Sequence, residues 1–120
     1  MIGTLRRLPG FERLTDSALA LVFARSSVRH YPPGQLVLTA GAVAETLLAR
    51  IEGELVDATG APTSPVFDAP GLLFGLSARG DYRAGPDGFT ALVVAKPHVF
   101  TIVREFPEFV VSLLQHSEVA

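Results

Sequence analysis

The most informative segment of this sequence is Pro33-Gly34-Gln35-Leu36-Val37-Leu38-Thr39-Ala40-Gly41. Two glycines bracket a short apolar strand in it, and a third glycine, Gly53, follows twelve residues after the second. Because glycine adopts a positive φ without a Cβ clash, each of these positions suits a tight strand reversal. Strands separated by turns every roughly 8–12 residues are typical of a β-sandwich or barrel.

Helical patterns precede these strands. Residues 17–24 carry apolar side chains at helical spacing, and Thr15 or Asp16 stands at the N-cap position. The segment before them, residues 3–11, predicts a shorter helix that ends at Pro9 and Gly10.

The second half of the chain predicts one long loop, one strand and two helices. Residues 78–88 contain three glycines, a proline and two aspartates, so we expect a loop there, followed by a strand over residues 89–94. Pro97 suits the first turn of a helix, where its missing N–H is no loss, and Pro107 interrupts that helix. We therefore expect one domain over residues 1–120, with a helical part over 3–25, a β-barrel over 26–96 and C-terminal helices over 97–116.

The amino-acid composition excludes several classes of protein. The 120 residues are 48% hydrophobic and 18% charged, which predicts a packed core rather than disorder. A net charge of -2 with scattered basic residues argues against nucleic-acid binding. The chain has no cysteine, which excludes a disulfide framework and a thiolate metal site. Because no apolar run is long enough to span a membrane, we expect no membrane partner and a cytoplasmic protein, and the scarcity of lysine and asparagine suggests a bacterial source.

The glycine spacing, taken with both ends of the chain, resembles the cyclic nucleotide-binding domain family. That family has glycines where Gly34, Gly41, Gly53 and Gly60 stand here, followed by a step like Phe74-Gly75. Residues 8–15 resemble its first helix, and residues 100–109 resemble its last helices. The resemblance implies a mainly β fold with flanking helices, a double-stranded β-helix or jelly-roll barrel. Another small barrel, such as a cupin-like jelly roll, is the alternative.

The resemblance also implies a ligand segment. In the family a glutamate directly after Phe-Gly accepts the ribose hydroxyl, a later arginine pairs with the cyclic phosphate, and backbone N–H groups at a short helix face that phosphate. Here Leu76 stands at the glutamate position and cannot accept a hydrogen bond. If Ala84 matches the alanine that follows the family arginine, several residues are missing, and the arginine position falls near Ala78 or is absent. Alternatively Arg83-Ala84 is itself the arginine-alanine step. The candidate ligand-binding residues are Phe74, Gly75, Leu76, Ser77, Ala78, Arg79, Arg83 and Ala84.

These observations predict a non-catalytic regulatory or interaction module that does not bind cyclic nucleotide in the usual way. The partner is then a protein, an attached domain or a second copy reached through the C-terminal helices. The alternative is a sensor that binds a cyclic nucleotide or another anionic small molecule through residues 74–84. A cupin-like enzyme is the third interpretation, but His30, His98 and His116 are not at metal-ligand spacing, and no serine has a nucleophile-elbow context. We expect no cofactor and no metal.

Overall fold

The structure, a computed structural model, describes residues 5–118. The predicted N-terminal helix is α1, Asp16–Ala24, and Thr15 is its N-cap. The Thr15 hydroxyl oxygen accepts a hydrogen bond from the Ala18 amide at 3.1 Å, which satisfies one of the unpaired donors of the first turn. Ala18, Leu19 and Val22 are buried, so the apolar face of α1 packs inward.

The shorter helix predicted over residues 3–11 lies partly outside the described residues. From Leu5 onward the chain makes successive turns, in which the Leu8 amide donates to the Leu5 carbonyl and the Phe11 amide to the Leu8 carbonyl, each at 3.0 Å. All three side chains are buried. The predicted apolar spacing therefore places these three side chains in the core, although only the first of the turns is helical.

Five antiparallel strands form one sheet in the described part of the chain. In hydrogen-bonded order the path runs β1-β5-β3-β4, and β2 pairs with β5 beside this path. The bounds are β1, Ser26–Tyr31; β2, Leu36–Leu38; β3, Thr46–Val56; β4, Val66–Phe67; and β5, Tyr82–Ala95.

The loop predicted over residues 78–88 is wrong from Tyr82 onward, where β5 already begins. Two of its three glycines, Gly85 and Gly88, lie inside the strand, where β5 approaches β3 and β1 closely. A Cβ added at Gly53 would collide with the Gly88 carbonyl oxygen, and one at Gly88 would lie 3.1 Å from the Tyr31 carbonyl oxygen. The register of β3 against β5 shifts on either side of this contact. Glycine in a strand marks such a close backbone approach as well as a turn.

Helices pack on one face of the sheet. They are α2, Ala69–Phe74; α3, Lys96–Glu105; and α4, Glu108–Gln115. The predicted break at Pro107 is confirmed, since Pro107 is the N-cap of α4. Phe11 and Phe109 meet edge to face with ring centroids 5.7 Å apart. The larger core includes Leu14, Leu19, Val22, Leu47, Val66, Leu72, Leu92, Val94, Ile102, Phe109 and Leu113.

A second, smaller core lies on the other face of the sheet, away from the helices. Tyr31 and Phe89 stack there with ring centroids 5.9 Å apart, and Phe67 packs against Tyr82 at 4.9 Å. Leu48 and Leu55 are buried beside them. A large cleft, described below, opens on this face. Within residues 5–118, no helix is long and apolar enough to cross a membrane.

Candidate functional site

The predicted ligand segment begins at the end of α2. Asp68 is the N-cap of this helix, in the left-handed region at φ 50°, and its Oδ1 accepts a hydrogen bond from the Gly71 amide at 3.0 Å. Gly75 ends the helix with φ 68°, and the Leu76 amide donates to the Gly71 carbonyl at 3.2 Å. The Phe74 side chain is 64% exposed and that of Leu76 is 41% exposed. Both therefore project into solvent.

Backbone hydrogen bonds then attach the segment directly to the turn before β3. Ser77 forms a bridge with Val43. The Ala78 amide donates to the Ala42 carbonyl, and the Gly41 amide donates to the Ala78 carbonyl, both at 2.8 Å. With this pairing the chain passes from α2 to the sheet without an extended loop.

The two arginines of the segment are exposed. Arg83 Nη1 donates to the Gly34 carbonyl oxygen at 3.2 Å. Ala84 is buried in β5 opposite Leu55. Arg83 and Ala84 line a shallow hollow with Gly34 and other residues, and Arg79 lies near Tyr82. Burial, with Asp57, Asp68 and Glu118 nearby, raises the pKa of the Tyr82 phenol, and Arg79 partly offsets this.

A large cleft lies elsewhere, between β1, β2 and the turn before β3. It has a volume of about 530 Å³, within the range of small-molecule sites. None of the eight predicted ligand-binding residues lines it. We call it the Arg29 cleft. Its lining residues are Arg29, Tyr31, Gln35, Leu36, Val37, Leu38, Ala42, Val43, Ala44, Glu45, Thr46, Leu48 and Phe67.

Sequence reasoning missed the Arg29 cleft. The available signal was the alternation of Arg29 and Tyr31 along one strand, which places both side chains on the same face of the sheet. The Arg29 guanidinium carbon lies 4.8 Å from the centroid of the Tyr31 ring. The structure thus brings a cation and an aromatic ring to one cleft, whereas no residue of the predicted segment lines it.

The histidines do not form a metal centre among the described residues. No group of three His, Cys, Asp or Glu side chains there has a geometry that could hold a metal ion. His30 Nδ1 lies 2.9 Å from the Thr90 hydroxyl. His116 Nε2 lies 3.4 Å from Glu12 Oε1. Hydrogen bonds from its own backbone amide, together with His116, lower the pKa of Glu12.

Solved structures of low sequence identity share this arrangement of helices and strands. The N-terminal domain of a transcriptional regulator from Streptomyces coelicolor A3(2) is 20% identical, with a TM-score of 0.66 over 94% of this chain and 86% of that chain. A protein from Geobacter metallireducens GS-15 named for cyclic nucleotide binding is 17% identical, with a TM-score of 0.74 over 95% and 89%. The C-linker/CNBHD of zELK channels is 14% identical, with a TM-score of 0.75 over 94% and 62%.

No protein-family model and no curated protein matches the chain. The structural likeness nevertheless identifies the fold: the chain has the jelly-roll fold of cyclic nucleotide-binding domains. The fold class predicted from the glycine spacing is therefore confirmed. The neighbours named above include a transcriptional regulator and a channel, so the same architecture serves regulatory proteins.

Proposed function

We propose that this chain is a non-catalytic regulatory or interaction module that has the cyclic nucleotide-binding-domain fold but not its ordinary nucleotide site. The observation that carries the proposal is the short connection after Gly75. Within three residues the chain leaves α2 and pairs with residues 41–43. This pairing occupies the backbone that a phosphate-binding turn would need.

The side chains support the same conclusion. Leu76 stands where the resemblance requires a ribose acceptor, and its side chain has no polar atom. Arg83 donates to a backbone carbonyl at the Gly34 turn, outside the Arg29 cleft. A hydrogen bond to a charged group contributes about 1.5–3 kcal/mol. About 1.4 kcal/mol corresponds to a factor of ten in affinity. Loss of both the ribose acceptor and the phosphate-binding arginine therefore lowers the affinity for a cyclic nucleotide by a factor of about one hundred or more.

Such a module acts by contacting another domain or another protein. The Streptomyces coelicolor relative is an N-terminal domain of a regulator, and the zELK structure joins this fold to a C-linker. Here α4 buries Phe109 and Leu113 in the core, but its Val111 side chain is 56% exposed. We infer that the outer face of the C-terminal helices, with exposed Phe100 on α3, contacts an attached domain, a separate protein or a second copy.

Calorimetric titration with cyclic AMP and cyclic GMP up to millimolar concentration tests the lost site. The matched control is the double variant Arg79→Ala, Arg83→Ala, which removes both arginines of the predicted segment. We expect no saturable heat in either protein. Saturable binding by the wild type that disappears in the double variant overturns the proposal and makes residues 74–84 a nucleotide sensor.

Sedimentation over a range of concentrations tests the contact surface. Self-association that is lost in Val111→Asp identifies a second copy as the partner. The buried Val99 of α3 is unsuitable for this purpose, because its substitution would disturb the core. Ile51→Asp, which places the same charge on an exposed apolar position of β3 outside these helices, is the matched control.

A further inference from the structure

Arg29 is held in place at the mouth of the Arg29 cleft without a carboxylate partner among residues 5–118. Its guanidinium lies 4.8 Å above the Tyr31 ring, and that ring stacks in turn on Phe89. Tyr31 is buried, so the platform under the guanidinium is fixed by the smaller core. A guanidinium already ordered by stacking loses less entropy when it binds an anion.

A second arginine shares this face of the sheet. Ala91 of β5 lies opposite Arg29 on one side and opposite Arg50 on the other. Directly opposite residues in antiparallel strands project from the same face. Only the small Ala91 side chain separates the two arginine positions across the sheet. This face of the sheet near β1 therefore carries two arginines.

The floor of the Arg29 cleft is apolar. The Leu48 and Phe67 side chains are buried at its base. Val37 packs against the smaller core, and Leu36 is 38% exposed at the rim. An apolar ligand body that covers Leu36 removes this surface from water, at roughly 25 cal/mol per Å². The cleft thus offers a hydrophobic floor beside a positioned cation.

We propose that the Arg29 cleft binds a small organic acid: an apolar body with one carboxylate or phosphate group, which pairs with the Arg29 guanidinium. The pairing is charge-assisted, and a guanidinium donates to either group in bidentate geometry. Glu45 also lines the cleft, on the turn before β3. The acid therefore binds at the β1 end of the cleft, away from this carboxylate. No residue of 74–84 lines the cleft, although Ser77 and Ala78 pair with its lining residues Val43 and Ala42.

Fluorescence titration with anilinonaphthalene sulfonate tests the proposal, because this probe joins an aromatic body to one anionic group. We expect one saturable site in the full chain. Arg29→Gln should weaken binding by about ten-fold or more, which corresponds to the loss of one charge-assisted hydrogen bond. Arg25→Gln, which removes an exposed arginine outside the cleft, should change the affinity less than two-fold. Glu45→Gln should leave it unchanged or strengthen it.

Uncharged phenylnaphthylamine separates charge from apolar contact, and its affinity should not respond to Arg29→Gln. Octanoate and octyl phosphate should displace the sulfonate, and the better competitor identifies the preferred acid; inorganic phosphate, which has no apolar body, should not. Val28→Asp provides a further control, because Val28 belongs to a different exposed apolar patch with Phe23 and Ile51. Equal affinity of Arg29→Gln and wild type, loss of binding in Val28→Asp, or no displacement by either octyl acid would each overturn the proposal. Circular dichroism confirms that every variant is folded.

Discussion

The Gly41 amide donates to the Ala78 carbonyl oxygen at 2.8 Å, and this bond fixes the segment that the family resemblance assigns to ligand binding. The reciprocal bond from the Ala78 amide to Ala42 has the same length. In addition, the Ala40 amide donates to Asp81 Oδ1 at 2.8 Å. The segment is therefore held against residues 40–43 by hydrogen bonds to their backbone.

Restoring the ribose acceptor alone should therefore fail. We expect Leu76→Glu to leave cyclic AMP binding weaker than about 1 mM, because the missing turn cannot be replaced by one carboxylate. Isothermal titration measures this directly. Ser77→Glu, one residue further along, is the control for a general effect of added charge. Micromolar binding in Leu76→Glu but not in Ser77→Glu would show that the short connection still accommodates the nucleotide.

Two glycines with similar φ but different surroundings allow a matched stability test. Gly53 has φ 71° and faces the Gly88 backbone, whereas Gly60 has φ 87° and no heavy atom within 4 Å of the place where an added Cβ would lie. Alanine at either position incurs the left-handed backbone cost of about 1–2 kcal/mol. We expect Gly53→Ala to lose about 1–3 kcal/mol more than Gly60→Ala, because overpacking adds to it. Urea unfolding measures both, and equal losses would contradict the close contact of β3 with β5.

The edge-to-face pair of Phe11 and Phe109 joins the N-terminal turns to α4. Both side chains are fully buried, so Phe109→Ala should lower the free energy of unfolding by about 3–5 kcal/mol. Phe100, which is 39% exposed on α3, is the control, and its alanine variant should lose clearly less. Denaturant unfolding distinguishes the two. A small effect of Phe109→Ala would mean that α4 is not anchored in the larger core.

Acid should weaken the contact between Glu12 and His116. The pKa of Glu12 is lowered below its ordinary value of 4.5 in the folded chain, first by its own backbone amide and also by His116. A carboxyl with a depressed folded pKa stabilises the fold above its unfolded pKa, and this contribution disappears as the pH falls through the folded value. Because Glu12 is largely exposed, the effect is small.

The measurement is the urea midpoint of wild type and Glu12→Gln at neutral pH and again at an acid pH below the folded pKa of Glu12, where the carboxyl is protonated. We expect the variant to be slightly less stable at neutral pH and equal to wild type in acid. Glu105→Gln, an exposed carboxylate on α3 with no ion pair among residues 5–118, is the control. A difference between Glu12→Gln and wild type that persists in acid would contradict the electrostatic cause.

Local signals predicted several elements of this fold correctly. Thr15 was identifiable as a cap because its hydroxyl can reach the third amide beyond it. Pro107 was identifiable as a break because proline has no N–H to donate within a helix. The turn glycines indicated the jelly roll, since Gly34, Gly41 and Gly53 all have positive φ.

The errors came from contacts between residues far apart in sequence. Gly85 and Gly88 resemble loop residues locally, and only the approach of β3 and β1 explains why they lie in a strand. The Arg29 cleft was missed for the same reason. It joins Arg29 to Phe67 and Glu45, and no periodicity in the sequence connects positions on three different elements.

The central position of β5 has a consequence during synthesis on the ribosome. Strands β1 and β3 do not pair with each other in the sheet; each pairs with β5, and β2 does so too. A nascent chain that has emerged only as far as Gly80 therefore lacks the strand that all three require. Until residues 82–95 follow, β3 can pair only with β4, so most of the pairing in the sheet forms late.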